Sequence, residues 1–177
     1  MHQCSRLSAA GVALALALGL AVPAALPQAA RASGDVVAFA GRYPVGTVVI
    51  RTGERRLYLV VDGERAIRYP VGVGKAGKQW AGTSYINGKY VKPAWSPPAV
   101  VKRDKPSLPD VIPGGTPQNP MGVAAMTLAD GEYAIHGTNR PDSIGGFVSY
   151  GCIRMYNADI SDLFGRVNVG TMVVVTR

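Results

Sequence analysis

The chain has 177 residues and a formal charge of +8, with 19 Lys and Arg against 11 Asp and Glu. That length suits one domain with a real core and leaves little room for a second. The basic residues are scattered, without the dense stripe that marks nucleic acid binders, so no nucleic acid partner is expected; an acidic polymer such as a cell wall or membrane surface fits at least as well, and the charge is equally consistent with ordinary solubility.

Residues 1–32 read as a signal peptide. Arg6 supplies the basic start, Ala9 to Val22 an apolar run, and Ala30-Arg31-Ala32 a small-x-small cleavage site before Ser33. Pro23, Pro27 and the shortness of the run oppose a stable membrane span. Cys4 precedes the apolar run, the wrong place for a lipoprotein cysteine. Export is therefore expected, and cleavage would leave His136 as the sole histidine and Cys152 as the sole thiol. One of each cannot supply four metal ligands, so neither a metal nor a cofactor is expected.

Residues 33–45 form an extended entry, with a short strand at Val36 to Phe39, and residues 46–177 form the domain. Thr47 to Arg51, Arg56 to Val61 and Arg65 to Val71 are rich in Val, Ile, Leu and Tyr and read as an antiparallel meander. Asp62-Gly63 between two of them is a two-residue hairpin signal, since both positions then take positive φ. Gly72 to Lys78 resembles a phosphate loop only superficially; no Lys-Ser/Thr pair or helix follows it. Asn87-Gly88 signals a further hairpin within residues 83–92.

Lys92 to Pro120 differs in kind. It holds eight of the thirteen prolines and has no periodicity, which marks a functional loop flanking or covering a site. Strands then follow at Gly122 to Leu128 and Glu132 to His136, joined at Asp130-Gly131, and at Gly146 to Met155 as far as Gly151. Asn157 to Phe164 is the one convincing helix. Asn157 is its expected N-cap, Ile160, Leu163 and Phe164 share a face, and Gly165 is its expected end. Thr171 to Thr176 closes the chain as a strand. The tally predicts a mainly β domain, sandwich or barrel-like, with a short helix after the cysteine.

His136 and Cys152 stand sixteen positions apart, near the ends of expected neighbouring strands. An imidazole that takes the thiol proton converts a poor nucleophile into a strong one. The N–H groups of Gly151 and Cys152 are candidates to face an oxyanion. Residue 137 has no side chain, so the Gly137 carbonyl is the nearest group able to orient the imidazole. The residues alone equally allow Cys152 to be a small buried hydrophobe and His136 a structural residue.

The stretch His136-Gly137-Thr138, then Ser149-Tyr150-Gly151-Cys152-Ile153-Arg154-Met155 and Asn157, resembles the active-site signature of the L,D-transpeptidases, cysteine enzymes that remodel peptidoglycan. Leu57 to Val60, Tyr69 to Lys75 and Pro120-Met121-Gly122 extend the likeness over residues 46–177. The resemblance implies Cys152 as nucleophile, His136 as general base and acid, and the N–H groups of Gly151 and Cys152 as oxyanion donors. Arg154 would support the site, meet a substrate carboxylate, or form a structural ion pair. Ser149, Tyr150, Thr138 and Asn139 are further candidates for contact with substrate. Tyr150 stands where the family often has a second histidine, and a phenol cannot replace an imidazole base at neutral pH.

The implied reaction is attack on a tetrapeptide stem, giving a thioester that an amine resolves. The amine would come from another stem or from a protein, such as an outer-membrane protein. Hydrolysis at the same site and non-catalytic wall binding are the competing expectations. A monomer is expected, and the resemblance also implies carbapenem sensitivity and, from the Ser-x-Gly-Cys form of the motif and the single-domain layout, a periplasmic location.

Overall fold

The computed structural model describes residues 34–129 and 131–177. The expected signal peptide and Asp130 lie outside the described residues. The strands in chain order are β1 (Asp35–Ala38), β2 (Val48–Arg51), β3 (Arg56–Val60), β4 (Arg65–Pro70), β5 (Val73–Gly74), β6 (Gly82–Val91), β7 (Ala124–Leu128), β8 (Ala134–His136), β9 (Phe147–Ser149), β10 (Ile153–Arg154) and β11 (Met172–Thr176). Two helices accompany them, α1 (Ala99–Asp104) and α2 (Asn157–Arg166). The domain is mainly β, with the helix after the cysteine in place and a second, short helix inside the proline-rich segment.

Nine strands hydrogen-bond in the order β1-β4-β3-β2-β11-β6-β7-β8-β10, and β5 pairs with β9 apart from them. The meander β2-β3-β4 is antiparallel, and β11 returns parallel to β2. β6 is the strand that joins two halves. Its residues Gly82 to Tyr85 pair with β11, while Ile86 to Val91 pair with β7. The register slips between Ile86 and Gly88.

The expected hairpin at Asn87-Gly88 is therefore wrong: the chain does not reverse there. An extra residue bends the strand and lets it pass from one sheet to the other, the usual work of a bulge at a sandwich corner. The Asp62-Gly63 turn is real, but neither residue takes positive φ. Asp62 Oδ1 instead accepts the N–H groups of Glu64 (2.9 Å) and Arg65 (2.7 Å), so a side chain closes the loop.

The main core lies between the sheets and α2. Val48, Ile50, Leu57 and Tyr69 come from one side; Ile86, Met126, Leu128 and Ile135 from the other; Ile160 and Leu163 from the helix. The opposite face of β2 and β3 has its own small cluster of Val49, Tyr58, Val60, Ala66 and Phe39. A strand covered on both faces reads as an unbroken apolar run, which is why Val48-Val49-Ile50 shows no alternation. α2 continues one residue beyond the expected stop at Gly165, to Arg166. The Tyr69 hydroxyl donates to Asp162 Oδ2 (2.6 Å), tying the helix to β4. No helix among the described residues is long and apolar enough to cross a membrane.

Candidate active site

The strand expected within Gly146 to Met155, at least up to Gly151, is in fact β9, a break, and then β10. β9 pairs with β5, and β10 pairs parallel with β8 in a different sheet. Cys152 sits in the break between them. Gly151 makes the break possible. Its φ is +124°, and a Cβ there would fall 2.3 Å from Cε1 of Tyr133. Tyr133 stacks on Trp80 at 4.9 Å with an interplanar angle of 5°, and Trp80 Nε1 donates to the Gly151 carbonyl (3.1 Å). Neither aromatic was legible as part of the site, since no local motif surrounds either one.

Parallel pairing sets Arg154 directly opposite His136 and brings Cys152 in beside the start of β8. His136, Cys152 and Arg154 line one cavity of about 90 Å³, with Trp95, Val101 and Tyr133 among its other walls. His136 is 4 % exposed, and its Nδ1 lies 2.7 Å from the Gly137 carbonyl oxygen. That contact assigns the proton to Nδ1 and leaves Nε2 with its lone pair in the neutral ring. Burial, aided by the Arg154 cation, lowers the imidazole pKa from 6.5 to about 4, against the opposing pull of the Gly137 and Pro120 carbonyls.

Cys152 is partly exposed, yet its sulfur is packed deeply enough that burial pushes the thiol pKa up. The Ala134 amide and the Arg154 guanidinium work the other way. The thiol faces the Glu132 carbonyl at 3.9 Å. At neutral pH the pair is thus a neutral thiol and a neutral imidazole.

Arg154 is the only cationic side chain lining this cavity. Its Nε is buried without a hydrogen-bond partner, and no ion pair reaches it among the described residues. The structural ion pair allowed by the sequence is therefore absent there. A guanidinium left unmatched in a pocket wall is suited to an anion on the ligand.

Several other candidates are placed differently from expectation. The Gly151 N–H donates to Ser149 Oγ (3.1 Å), so it is not a free oxyanion donor. Ser149 Oγ in turn donates to the Cys152 carbonyl (2.6 Å), spending its hydrogen on the turn and not on a ligand. The Cys152 N–H makes no hydrogen bond among the described residues and remains available. Ser149 and Tyr150 both line the cysteine cavity; the Tyr150 hydroxyl donates to Asp104 Oδ2 of α1 (2.7 Å), and Lys75 Nζ lies 4.0 Å above its ring and 3.7 Å from the same carboxylate. Thr138 and Asn139 line a separate, larger cavity.

Asn157 also departs from its expected role. Tyr156 is the N-cap, and Asn157 begins the helix. Its Oδ1 reaches back to accept the N–H of Thr138 (3.0 Å) and of Val123 (3.4 Å). It thereby fixes the peptide next to the carbonyl that holds His136. Gly122 and Gly137 leave room for it, since a Cβ on either would lie 2.3 Å from Oδ1.

A family model for the L,D-transpeptidase catalytic domain matches residues 45–175. The chain belongs to the L,D-transpeptidase family. It is 41 % identical over 135 residues to the probable L,D-transpeptidase YbiS of Escherichia coli (strain K12), covering 71 % of this chain and 43 % of that protein. It is 34 % identical over 131 residues to the putative L,D-transpeptidase YkuD of Bacillus subtilis (strain 168), covering 73 % of this chain and 65 % of that one. The chain thus spans less than half the length of the E. coli relative. Among solved structures, the catalytic domain of an E. faecium L,D-transpeptidase acylated by ertapenem aligns with a TM-score of 0.58 at 20 % identity, over 77 % of this chain and all of that one. An L,D-transpeptidase from Mycobacterium tuberculosis H37Rv aligns with a TM-score of 0.58 at 15 % identity, over 76 % and 58 %. At those identities the likeness is one of fold.

Proposed function

We propose that this chain is an exported, periplasmic L,D-transpeptidase that acts on peptidoglycan tetrapeptide stems through a thioester on Cys152. The observation that carries the reading is the shared cavity of Cys152 and His136, with the imidazole held through Nδ1 by the Gly137 carbonyl. Family membership supplies the substrate class.

Cys152 loses its proton to His136 Nε2 as sulfur attacks the carbonyl between the third and fourth stem residues. The Cys152 N–H donates to the developing oxyanion. Collapse breaks the C–N bond, and His136 returns the proton to the departing D-alanine nitrogen. An amine from a second stem, or from a protein such as one of the outer membrane, then attacks the thioester and regenerates the thiol. Arg154 meets a carboxylate of the stem.

The test is intact-mass spectrometry with a carbapenem. A stoichiometric adduct is expected on the wild type and none on Cys152→Ala. Folded wild-type protein that takes no adduct would overturn the reading. Digestion of purified sacculi then separates acceptors: 3→3 dimers mean amine transfer, and tripeptides alone mean hydrolysis.

A further inference from the structure

The larger cavity, about 990 Å³, shares its partition with the cysteine pocket. Asn119, Gly122 and Thr138 face it, while Pro120, Met121 and His136 from the same two segments face Cys152. Its volume is that of a ligand site, not of a packing defect.

Its wall contains a buried carboxylate that the catalytic chemistry does not use. Asp159 is 4 % exposed, and no hydrogen bond or ion pair engages it among the described residues. The charges that raise its pKa are carboxylates, Asp162 and Asp35; of the two cations that line the cavity, Arg68 is matched to Asp35 at 3.3 Å, and Lys92 makes no ion pair with Asp159. Its oxygens are not closed off from solvent, so the carboxylate opens into the cavity, where partial desolvation favours a ligand that donates to it.

Beside it stands a donor of set direction. Asn157 Oδ1 is held by two backbone amides, so its Nδ2 group faces outward from an exposed residue of the cavity wall. Tyr156, 39 % exposed, and Pro117 and Pro141 add flat apolar surface. A fixed amide donor, an unmatched carboxylate acceptor and an aromatic plate are the groups that hold a neutral sugar ring, whose hydroxyls donate and whose acetamido oxygen accepts. A lone ammonium would satisfy Asp159 but leave the amide and the plate unused.

We infer that this cavity binds a neutral N-acetylated saccharide, held by Asp159, Asn157 and Tyr156, next door to the cysteine pocket. The inference rests on the peptidoglycan reading for its choice of sugar, since stems hang from such a glycan. The cavity would anchor the strand whose peptide enters the neighbouring pocket.

The test uses the full chain, carrying Cys152→Ala to prevent turnover, titrated with N-acetylglucosamine tetramer and with peptide-free glycan while amide NMR shifts are recorded. Saturable shifts at Tyr156 to Asp159 and Thr138 are expected. Asp159→Asn and Tyr156→Ala, each checked for a cooperative melt, should weaken binding at least about tenfold, the loss of one charged or stacking contact. Absence of shifts at millimolar saccharide, or binding indifferent to both substitutions, overturns the inference. So do shifts produced by a free diamine and not by saccharide. Carbapenem labelling of the wild type is independent of these outcomes. Labelling without saccharide binding sinks this inference alone, and binding without labelling sinks the proposed activity alone.

Discussion

His136 and Cys152 are held uncharged by the same burial that aligns them. With the imidazole at about 4 and the thiol raised, the proposed activity requires proton transfer during attack and not before it. Alkylation of Cys152 by iodoacetamide should therefore rise with pH through 8 and beyond. A plateau between pH 5 and 8 would show a resting thiolate–imidazolium pair and contradict this picture. The same shift has a cost in acid. Unfolded histidine binds its proton near 6.5 and the folded one only near 4, so stability is intact above 6.5 and falls as pH drops through that window. The His136 contribution to the loss should approach about 3 kcal/mol, measured as the difference between wild type and His136→Gln in urea midpoints at pH 7 and pH 4. Asn157→Ala should free the Thr138 amide and let the imidazole tilt. We expect kcat to drop by at least about tenfold with little change in KM, because the lost alignment matters at the transition state.

Tyr150, Asp104 and Lys75 form a clasp between the cysteine turn and α1, which sits over the pocket with Trp95, Pro98 and Val101. Tyr150→Phe removes its hydrogen bond, worth about 1 kcal/mol. Hydrogen exchange over Ala99–Asp104 should quicken while the sheets stay protected; unchanged exchange would show that α1 is held by packing alone. This clasp explains what could be read from the chain and what could not. The meander, the post-cysteine helix and the Gly137 carbonyl were legible, because apolar runs and neighbouring atoms speak for them. Partners 46 and 71 residues apart, as for Tyr150 with Asp104 and Trp80 with Gly151, leave no local pattern. Turn dipeptides failed in an informative way. Asn87-Gly88 became a bulge because both flanks of β6 had a sheet to join, and tertiary pairing outweighed a local preference. Asn157 is of a type that caps helices, yet its Oδ1 accepts two amides from loops distant in sequence.

Across the whole molecule the two sheets depend on one core. Leu57 is fully buried within it, and Leu57→Ala should cost about 2–5 kcal/mol in chemical denaturation. Asp159 works against that stability. Its carboxyl pKa is raised to about 6 by burial and by Asp162 and Asp35. Such a group favours folding below its unfolded pKa of 3.8 and loses that contribution as pH rises through 6. Asp159→Asn should therefore stabilise the protein by up to about 2 kcal/mol at pH 8, with some of the shift screened in the open cavity, and by little at pH 4. Equal effects at both pH values would show that charge is not the cause. A residue whose ionised form weakens the fold is kept at the expense of stability, the expected mark of a binding group.

The break between β9 and β10 also bears on the order of folding. β10 pairs with β8 only 18 residues earlier, at Ile135 and Ile153, whereas β9 pairs with β5, 74 residues earlier at Val73 and Phe147. Closing so long a loop is slow compared with the meander or the β6-β7-β8 run, whose partners are near in sequence. The β8–β10 side of the Cys152 turn is thus local, while its β9 side, like the β2–β11 pairing between Val48 and Val173, must close a long loop and is expected to lock late. Substitutions in the turn, such as Ser149→Ala, should speed unfolding while leaving the refolding rate nearly unchanged, as stopped-flow fluorescence of Trp80 in a Trp95→Phe background would record.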